Sequence, residues 1–252
     1  MSNIFVIPDI HGQADKLTKI IETNIHPHIN TNDLIIFLGD YIDRGSQSLD
    51  VIKIINQLKT QYPNQVITLL GNHDVDFYNR IESIKPTMTL TSLGDFNITI
   101  QSLYTISYET LQSFDSFNID ILNDYMDVSM SNVKLFEKLR NEILRLKMSD
   151  DFKQFKSLIL DSDYYFETKN YVFSHSGGVN YLKPEEQSPH QWLWSRDFAK
   201  RRFSDKTFII GHTPVESIIF KNKQILMCDT GSVFEPSKEL PVIRLKTHKK
   251  GT

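Results

Sequence analysis

Cysteine is nearly absent from this sequence, because Cys228 is the only one among 252 residues. An intrachain disulfide is therefore excluded, a reducing compartment is expected, and Cys228 itself reads as a small buried apolar residue. Apolar runs of the roughly 18 residues that span a membrane are also lacking. The first apolar run begins at residue 4, too early for a preceding signal peptide. These absences predict a cytoplasmic protein that has no membrane contact.

A strong excess of one charge is lacking as well. The net charge is −3, from 28 basic and 31 acidic residues, so neither nucleic acid nor an anionic membrane is the expected partner. With 40% apolar and 23% charged residues, the composition is that of an ordinary globular protein. The length favours one α/β domain over residues 1–252 rather than two large domains. Composition leaves the oligomeric state open.

What the sequence does contain is an alternation of short β-branched runs and helical segments. Residues 4–7, 34–38 and 66–70 have strand character, whereas 17–21 and 49–58 have helical period. This β-α-β-α-β rhythm predicts parallel strands joined by helices. Six further strands are predicted at residues 164–168, 171–174, 207–210, 218–220, 224–228 and 242–245. Polar motifs directly follow the first three strands, at the sheet edge where α/β proteins bind ligands.

Residues from about 80 to 169 depart from this rhythm. Ser149 is positioned as the N-cap of a helix. An apolar helical face is predicted just before it, at Val133, Phe136, Leu139, Ile143 and Leu146. We interpret the segment as a mostly helical insertion. Two functions for it stay open, a substrate-selecting cap and a plain structural elaboration.

Residue types that bind metals recur at the ends of the predicted strands. They are Asp9 with His11, then Asp40, then Asn72 with His73, then His175, and last His212. Because Asp9 and His11 are two residues apart at a strand end, their side chains leave on the same side and can grip one ion. Oxygen and imidazole ligands suit Mn²⁺, Fe or Zn²⁺ better than Ca²⁺ or a thiolate-preferring ion.

The motifs around these residues resemble those of the calcineurin-like metallophosphoesterase superfamily, in its phosphoprotein phosphatase (serine/threonine phosphatase-like) branch. The resemblance covers nearly the whole chain outside the insertion, and its most specific element is Gly39-Asp40-Tyr41-Ile42-Asp43-Arg44-Gly45. It implies an α/β metallophosphoesterase fold with two facing mixed β-sheets flanked by helices. It also implies a cofactor of two divalent metal ions, with Mn favoured and Fe or Zn as alternatives.

The resemblance implies the metal ligands residue by residue. Asp40 would bridge the two ions, with the other ligands divided into a first pair, Asp9 and His11, and a second set, Asn72, His175 and His212. The nucleophile would be a hydroxide that bridges both ions.

The resemblance leaves His73 without a metal and implies that it is the general acid, oriented by Asp43. A carboxylate beside an imidazole raises the imidazole's pKa, which favours the protonated form that an alkoxide leaving group requires. Arg44 and Arg196, together with Asn72, would bind the substrate phosphate, since a guanidinium matches phosphate oxygens bidentately. For Arg196 an ordinary surface ion pair with Asp197 is the alternative.

Some residues depart from the family pattern. Pro8 stands where glycine is usual, Asp74 replaces glutamate, and Ser176 replaces glycine or alanine. Pro214 occupies the position of a second histidine found in many nucleases of the superfamily, which disfavours a nuclease.

The sequence therefore predicts a bimetal-dependent phosphatase that hydrolyses phosphomonoesters. Phosphoserine and phosphothreonine in proteins are the leading substrates, with phosphotyrosine as a further one. The nearest alternative is symmetrical hydrolysis of diadenosine tetraphosphate, because those enzymes resemble this chain in size and motifs. A non-catalytic binding protein on the same fold is a weaker alternative, since every implied ligand, the acid and both arginines are present.

Overall fold

The computed structural model describes residues 2–89, 93–128 and 133–247. Within them the strands are β1 (Ser2–Ile7), β2 (Leu34–Phe37), β3 (Val66–Thr68), β4 (Tyr165–Glu167), β5 (Tyr171–Ser174), β6 (Thr207–Ile210), β7 (Ile219–Lys221), β8 (Ile225–Met227) and β9 (Ile243–Thr247). Each lies on one of the predicted strand segments, with ends that differ by at most two residues.

The helices alternate with the strands in the first part of the chain and follow one another in the middle. They are α1 (Ala14–Ile20), α2 (Ser48–Gln61), α3 (Asn72–Ser83), α4 (Leu93–Ile106), α5 (Tyr108–Ser113), α6 (Ile119–Val128), α7 (Val133–Met148), α8 (Asp150–Leu160) and α9 (Pro189–Trp194). A π-helical turn, Ile21–Ile25, continues α1. No helix within the described ranges is long and apolar enough to cross a membrane.

The strands form two mixed sheets. The first has the order β3-β2-β1-β9, in which β1, β2 and β3 are parallel and β9 is antiparallel. The second has the order β4-β5-β6-β8-β7, with β5, β6 and β8 parallel between antiparallel edge strands. A short turn joins only antiparallel neighbours, so the parallel pairs β1-β2 and β2-β3 require the crossovers that α1 and α2 provide.

A buried apolar cluster joins the two sheets face to face. Ile4 and Val6 of β1 belong to it together with Phe173 of β5, Ile209 of β6 and Cys228. The residues that alternate with them in β1 pack into a separate cluster on the helical side, as the period of two in a strand requires. The predicted fold class is confirmed. Burial also raises the pKa of the Cys228 thiol, in keeping with an inert apolar role.

Helices α4 to α8 occupy the predicted insertion and share one apolar core with α1, α2 and α3. Ser149 caps α8 as predicted, because its hydroxyl accepts from the backbone N–H of Phe152 at 3.2 Å. Four residues of the predicted apolar face of α7 are buried, but Val133 is 43% exposed. The prediction for Val133, which is the first residue of the helix, was wrong.

Candidate active site

The six predicted metal ligands meet at the edge that the two sheets share. Each of them is at most 7% exposed. They follow the strands in order, with Asp9 and His11 after β1, Asp40 after β2, Asn72 at the start of α3, His175 after β5 and His212 after β6. Strand ends are brought together by the sheet order, so residues distant in sequence become neighbours here.

Three of these ligand atoms converge on one point. The Asn72 Oδ1 lies 2.9 Å from the His175 Nε2 and 2.9 Å from the His212 Nδ1, and the two nitrogens are 3.1 Å apart. The Asp40 Oδ2 is 3.4 Å from the His175 Nε2. An amide oxygen, two imidazole nitrogens and a carboxylate oxygen therefore face a common centre, which is a donor set that a divalent transition metal accepts.

Asp40 is also close to a second group of potential ligands. Its Oδ2 lies 3.5 Å from the His11 Nε2. Within the part of the chain that the structure describes, two groups have ligand atoms within 4.8 Å of one another, Asp40 with His175 and His212, and Asp40 with His11 and His73. Asp9 lies outside both groups, and its two carboxylate oxygens accept from the backbone N–H of His212 at 3.0 and 3.1 Å. Asp40 is thus shared between the groups, as a bridging carboxylate would be.

The histidines present the form of imidazole that binds metals. The Nδ1–H groups of His11 and His175 donate to the carbonyl oxygens of Ile42 and Leu38, at 2.8 and 3.1 Å, so each Nε2 carries a lone pair rather than a proton. Burial lowers the pKa of His11 and of His212 to about 3, which keeps both rings neutral. Neutral imidazole is the state required of a ligand. The residues present therefore fit a divalent metal.

His73 and Asp43 form a pair beside these ligands. The His73 Nδ1 is 2.7 Å from the Asp43 Oδ2, and Asp43 is fully buried. Burial by itself would lower the pKa of His73, but the hydrogen bond with Asp43 and the charges of Asp40 and Asp43 raise it above its ordinary value. The protonated imidazole is therefore favoured, which suits a proton donor.

Arg44 reaches into the same space. Its Nη1 donates to the His11 Nε2 at 2.6 Å and its Nη2 lies 3.1 Å from the His73 Nε2. Arg196 lines the same cleft of about 240 Å³. The surface ion pair with Asp197 is not seen among the described residues. The Asp197 carboxylate instead accepts from the backbone N–H groups of Asn180 and Ala199, at 2.8 and 3.1 Å.

Several residues that sequence reasoning did not assign to the site support it. Asp74 accepts from the backbone N–H groups of Asp40 and Tyr41, at 2.8 and 2.9 Å, and so holds the loop that carries the shared ligand. The Ser176 hydroxyl donates to the Trp192 carbonyl at 2.8 Å and ties the His175 loop to α9. Both residues lie within recognised motifs, so their position in the sequence was a usable signal.

Most of the remaining cleft residues came without such a signal, although Trp194 lies in the motif Trp194-Ser195-Arg196. Asp76, Arg80, Ile106 and Trp194 complete the lining of the cleft, and Thr110 hydrogen-bonds to Asp43 from α5. Arg80, Ile106 and Thr110 lie in the predicted insertion. Nothing in the local pattern of these three residues marks them as neighbours of the candidate ligands.

Close backbone approach explains two glycines of the motifs. A Cβ at Gly211 would lie 2.1 Å from the Asp9 Oδ1, and one at Gly71 would lie 2.2 Å from the Asp40 Oδ1. Contacts this short are not tolerated, so any side chain would displace these carboxylates.

The sequence profile of the calcineurin-like phosphoesterase family matches residues 2–238. A curated relative, serine/threonine-protein phosphatase PP1-delta of Caenorhabditis elegans, is 40% identical over 79 residues, which are 31% of this chain and 25% of that protein. The matched segment thus spans a quarter of that relative's length.

Solved structures match over nearly the whole chain. The cold-active protein-tyrosine phosphatase of a psychrophilic Shewanella has a TM-score of 0.58 and 13% identity, over 97% of this chain and 75% of that one. A "putative diadenosine tetraphosphatase" has a TM-score of 0.54 and 12% identity, over 96% of this chain and 92% of that one. At these identities the two structures show a common fold.

Proposed function

The chain belongs to the calcineurin-like phosphoesterase family, as its motifs predicted, and we propose that it is a two-metal phosphatase acting on phosphomonoesters. The family and its phosphatase relatives support a metal-dependent phosphoric ester hydrolase. One observation carries the proposal. Ligand atoms of Asn72, His175 and His212 lie within 3.1 Å of one another, and His73, paired with Asp43, faces the same cleft. A binding protein without catalysis has no need of that pair.

The proposed ligands divide between two divalent cations, with Mn²⁺ favoured. Asp40 would contact both, with Asp9 and His11 on one side, and Asn72, His175 and His212 on the other. Such cations, when bound, make water more acidic and polarise phosphoryl oxygens. The buried carboxylates support this assignment. Burial and the nearby charges of Asp229 and Asp40 raise the pKa of Asp9, and bound cations would offset this cost of holding Asp9 ionised.

The other side chains bind the phosphate and move the proton. Arg44 and Arg196 both line the cleft, and the Arg44 guanidinium lies beside His11 and His73, so both arginines can hold phosphate oxygens. Asn72 turns its Oδ1 toward the histidines, which leaves its amide nitrogen for the phosphate. His73 donates its Nε2 proton to the leaving oxygen while Asp43 holds the Nδ1 side of the ring.

We propose phosphoserine and phosphothreonine in proteins as the main substrates, with phosphotyrosine as a further one. The sequence identity with PP1-delta supports the first. A different observation favours the diadenosine tetraphosphate alternative. This chain agrees in length with the solved structure of a "putative diadenosine tetraphosphatase", because the match covers 96% of this chain and 92% of that one.

A substrate panel separates these functions. The purified protein is given Mn²⁺ and assayed on phosphoserine, phosphothreonine and phosphotyrosine peptides, an aryl phosphate and diadenosine tetraphosphate, with the chelated protein as the control. We expect metal-dependent turnover of the phosphopeptides at the highest kcat/KM. A preference for the dinucleotide would establish the nucleotide hydrolase. A metal-loaded protein that turns over none of these substrates would support the non-catalytic binding protein instead.

We further propose that the insertion at about 80–169 is a cap that selects substrates. Ile106 at the end of α4 is 41% exposed and lines the cleft. Ile106→Ala should change the ratio of kcat/KM between a phosphopeptide and a small aryl phosphate, because contacts remote from the scissile bond affect discrimination. Ile98→Ala is the matched control, since Ile98 lies on the same helix and is 67% exposed. An unchanged ratio in both variants would leave the insertion a structural elaboration.

A further inference from the structure

The hydroxyl of Thr110, on α5, makes two hydrogen bonds with Asp43. It donates to the Asp43 Oδ1 at 2.8 Å and accepts from the Asp43 backbone N–H at 2.9 Å. Thr110 is fully buried and lies 67 residues from Asp43 in the sequence. The Ser48 Oγ is 3.1 Å from the same hydroxyl oxygen. Because the single hydroxyl proton of Thr110 is given to Asp43, Ser48 must be the donor in this contact.

These contacts continue to the acid of the proposed reaction. The Asp43 Oδ2 is 2.7 Å from the His73 Nδ1, while its Oδ1 is held by Thr110. A carboxylate whose two oxygens have separate partners cannot rotate without breaking one of the hydrogen bonds. The orientation of the imidazole therefore depends on a hydroxyl that α5 supplies.

The backbone at this corner also needs support from outside. Asp43 and Arg44 have φ angles of 68° and 69°, so two successive residues other than glycine adopt the left-handed region. Such conformations are unfavourable for residues other than glycine and persist only where the surroundings enforce them. The hydrogen bond from the Asp43 N–H to Thr110 is one of the contacts that enforce this corner.

We propose that Thr110 is a positioning residue of the active site, through which the insertion holds Asp43 and thereby aims His73. The proposal rests on the proposed function. It assigns to α5 a part in proton donation to the leaving group that is separate from substrate selection by the cap.

Thr110→Val tests this, because valine keeps the shape and removes the hydroxyl. Thr110→Ser keeps the hydroxyl and is the rescue. Thr105→Val is the matched control, since Thr105 is exposed on α4 and its hydroxyl bonds within that helix to the Gln101 carbonyl at 2.9 Å. The rates to compare are kcat on an alkyl phosphate, which needs an acid, and on an activated aryl phosphate. Bound metal is measured by elemental analysis.

We expect the alkyl-to-aryl ratio of kcat to fall by about tenfold or more in Thr110→Val, a part of the 10²–10⁴-fold that general acids contribute. Metal content should be retained, and the ratio should be near the original in Thr110→Ser and Thr105→Val. Equal losses on both esters, a loss of metal, or the same fall in Thr105→Val would overturn the proposal. If Thr110→Val does not fold, Thr110→Ala removes the same hydroxyl with a smaller side chain, and an unchanged ratio in that variant overturns the proposal instead.

A measurement without turnover distinguishes this proposal from the proposed function. Solvent exchange of the His73 Nδ1 proton, followed by NMR, should be at least about tenfold faster in Thr110→Val than in the unmodified protein and in Thr110→Ser. Equal exchange would refute the role of Thr110 even in a protein that hydrolyses no phosphate ester. An inactive protein with faster exchange in the variant would refute the proposed function alone.

Discussion

Replacing His73 by asparagine distinguishes the two roles that the geometry allows it. His73 shares a potential metal-binding group with His11 and Asp40, yet its Nδ1 is 2.7 Å from the Asp43 carboxylate. If His73 is the acid, His73→Asn should keep both metals. The structure supports that expectation because the contact to the Asp40 Oδ1, at 3.0 Å, comes from the backbone N–H of residue 73 and survives the substitution.

The magnitude follows from the proton that is lost. A general acid contributes about 10²–10⁴-fold, which at about 1.36 kcal/mol per factor of ten is roughly 3–5 kcal/mol of transition-state stabilisation. An alkyl phosphate should lose that much. An activated aryl phosphate should lose far less, since its leaving group departs as a stable anion. His73 can donate a proton only while it is protonated. Turnover of the alkyl ester should therefore fall as the pH rises through the raised pKa of His73, and this fall should be missing in His73→Asn.

The assay compares kcat on both esters with Mn²⁺ present, beside elemental analysis of the purified variant. Equal losses on the two esters together with one metal missing per chain would refute the acid and make His73 a ligand. Equal losses with both metals present would remove the acid role and leave a structural one.

Three further substitutions test the rest of the site and its support. Asp40→Asn should lower metal occupancy at both positions, because a neutral amide compensates charge between two cations poorly; two tightly bound metals and near-normal activity would contradict the shared site. Gly211→Ala should expel Asp9 and reduce bound metal, whereas Gly94→Ala on α4, where a Cβ meets nothing within 4 Å, should keep it; equal metal content would refute the close-approach argument. Glu82 accepts from Lys147 and Lys156 at 2.9 and 2.7 Å, and although burial would raise the Glu82 pKa, these bonds lower it below 4.5. The ionised Glu82 should contribute about 1 kcal/mol to the free energy of unfolding. This contribution should be present above the pKa that Glu82 has in the unfolded chain and disappear as the pH falls through its lower folded-state pKa. The thermal midpoints of Glu82→Gln and the unmodified protein should therefore converge in acid.

Local patterns in the chain were enough to locate the strands and most of the candidate ligands. Short, mostly apolar runs predicted β5 and β6 with their observed ends, because a strand buried on both faces is predominantly apolar. Polar residues at the ends of these runs, such as His175 and His212, were recognisable as candidate ligands. A polar side chain that follows a buried strand is unusual unless it has a partner. Burial of His175 and His212 in the structure agrees with that reasoning.

Contacts between distant segments decided the rest. The hydroxyl of Thr110 reaches Asp43 across 67 residues, and Ile106 lines the cleft from a helix whose sequence has no feature of a site. Likewise, the helices of the insertion share a core with α2 and α3. The apolar face of α7 indicated that this helix packs against something, but not which helices it contacts. Periodicity reports which face of a helix is apolar, but only packing determines what covers it. The candidate ligands could therefore be recognised in the sequence, whereas the contact of Thr110 with Asp43 became visible only when the helices had been packed around Asp43.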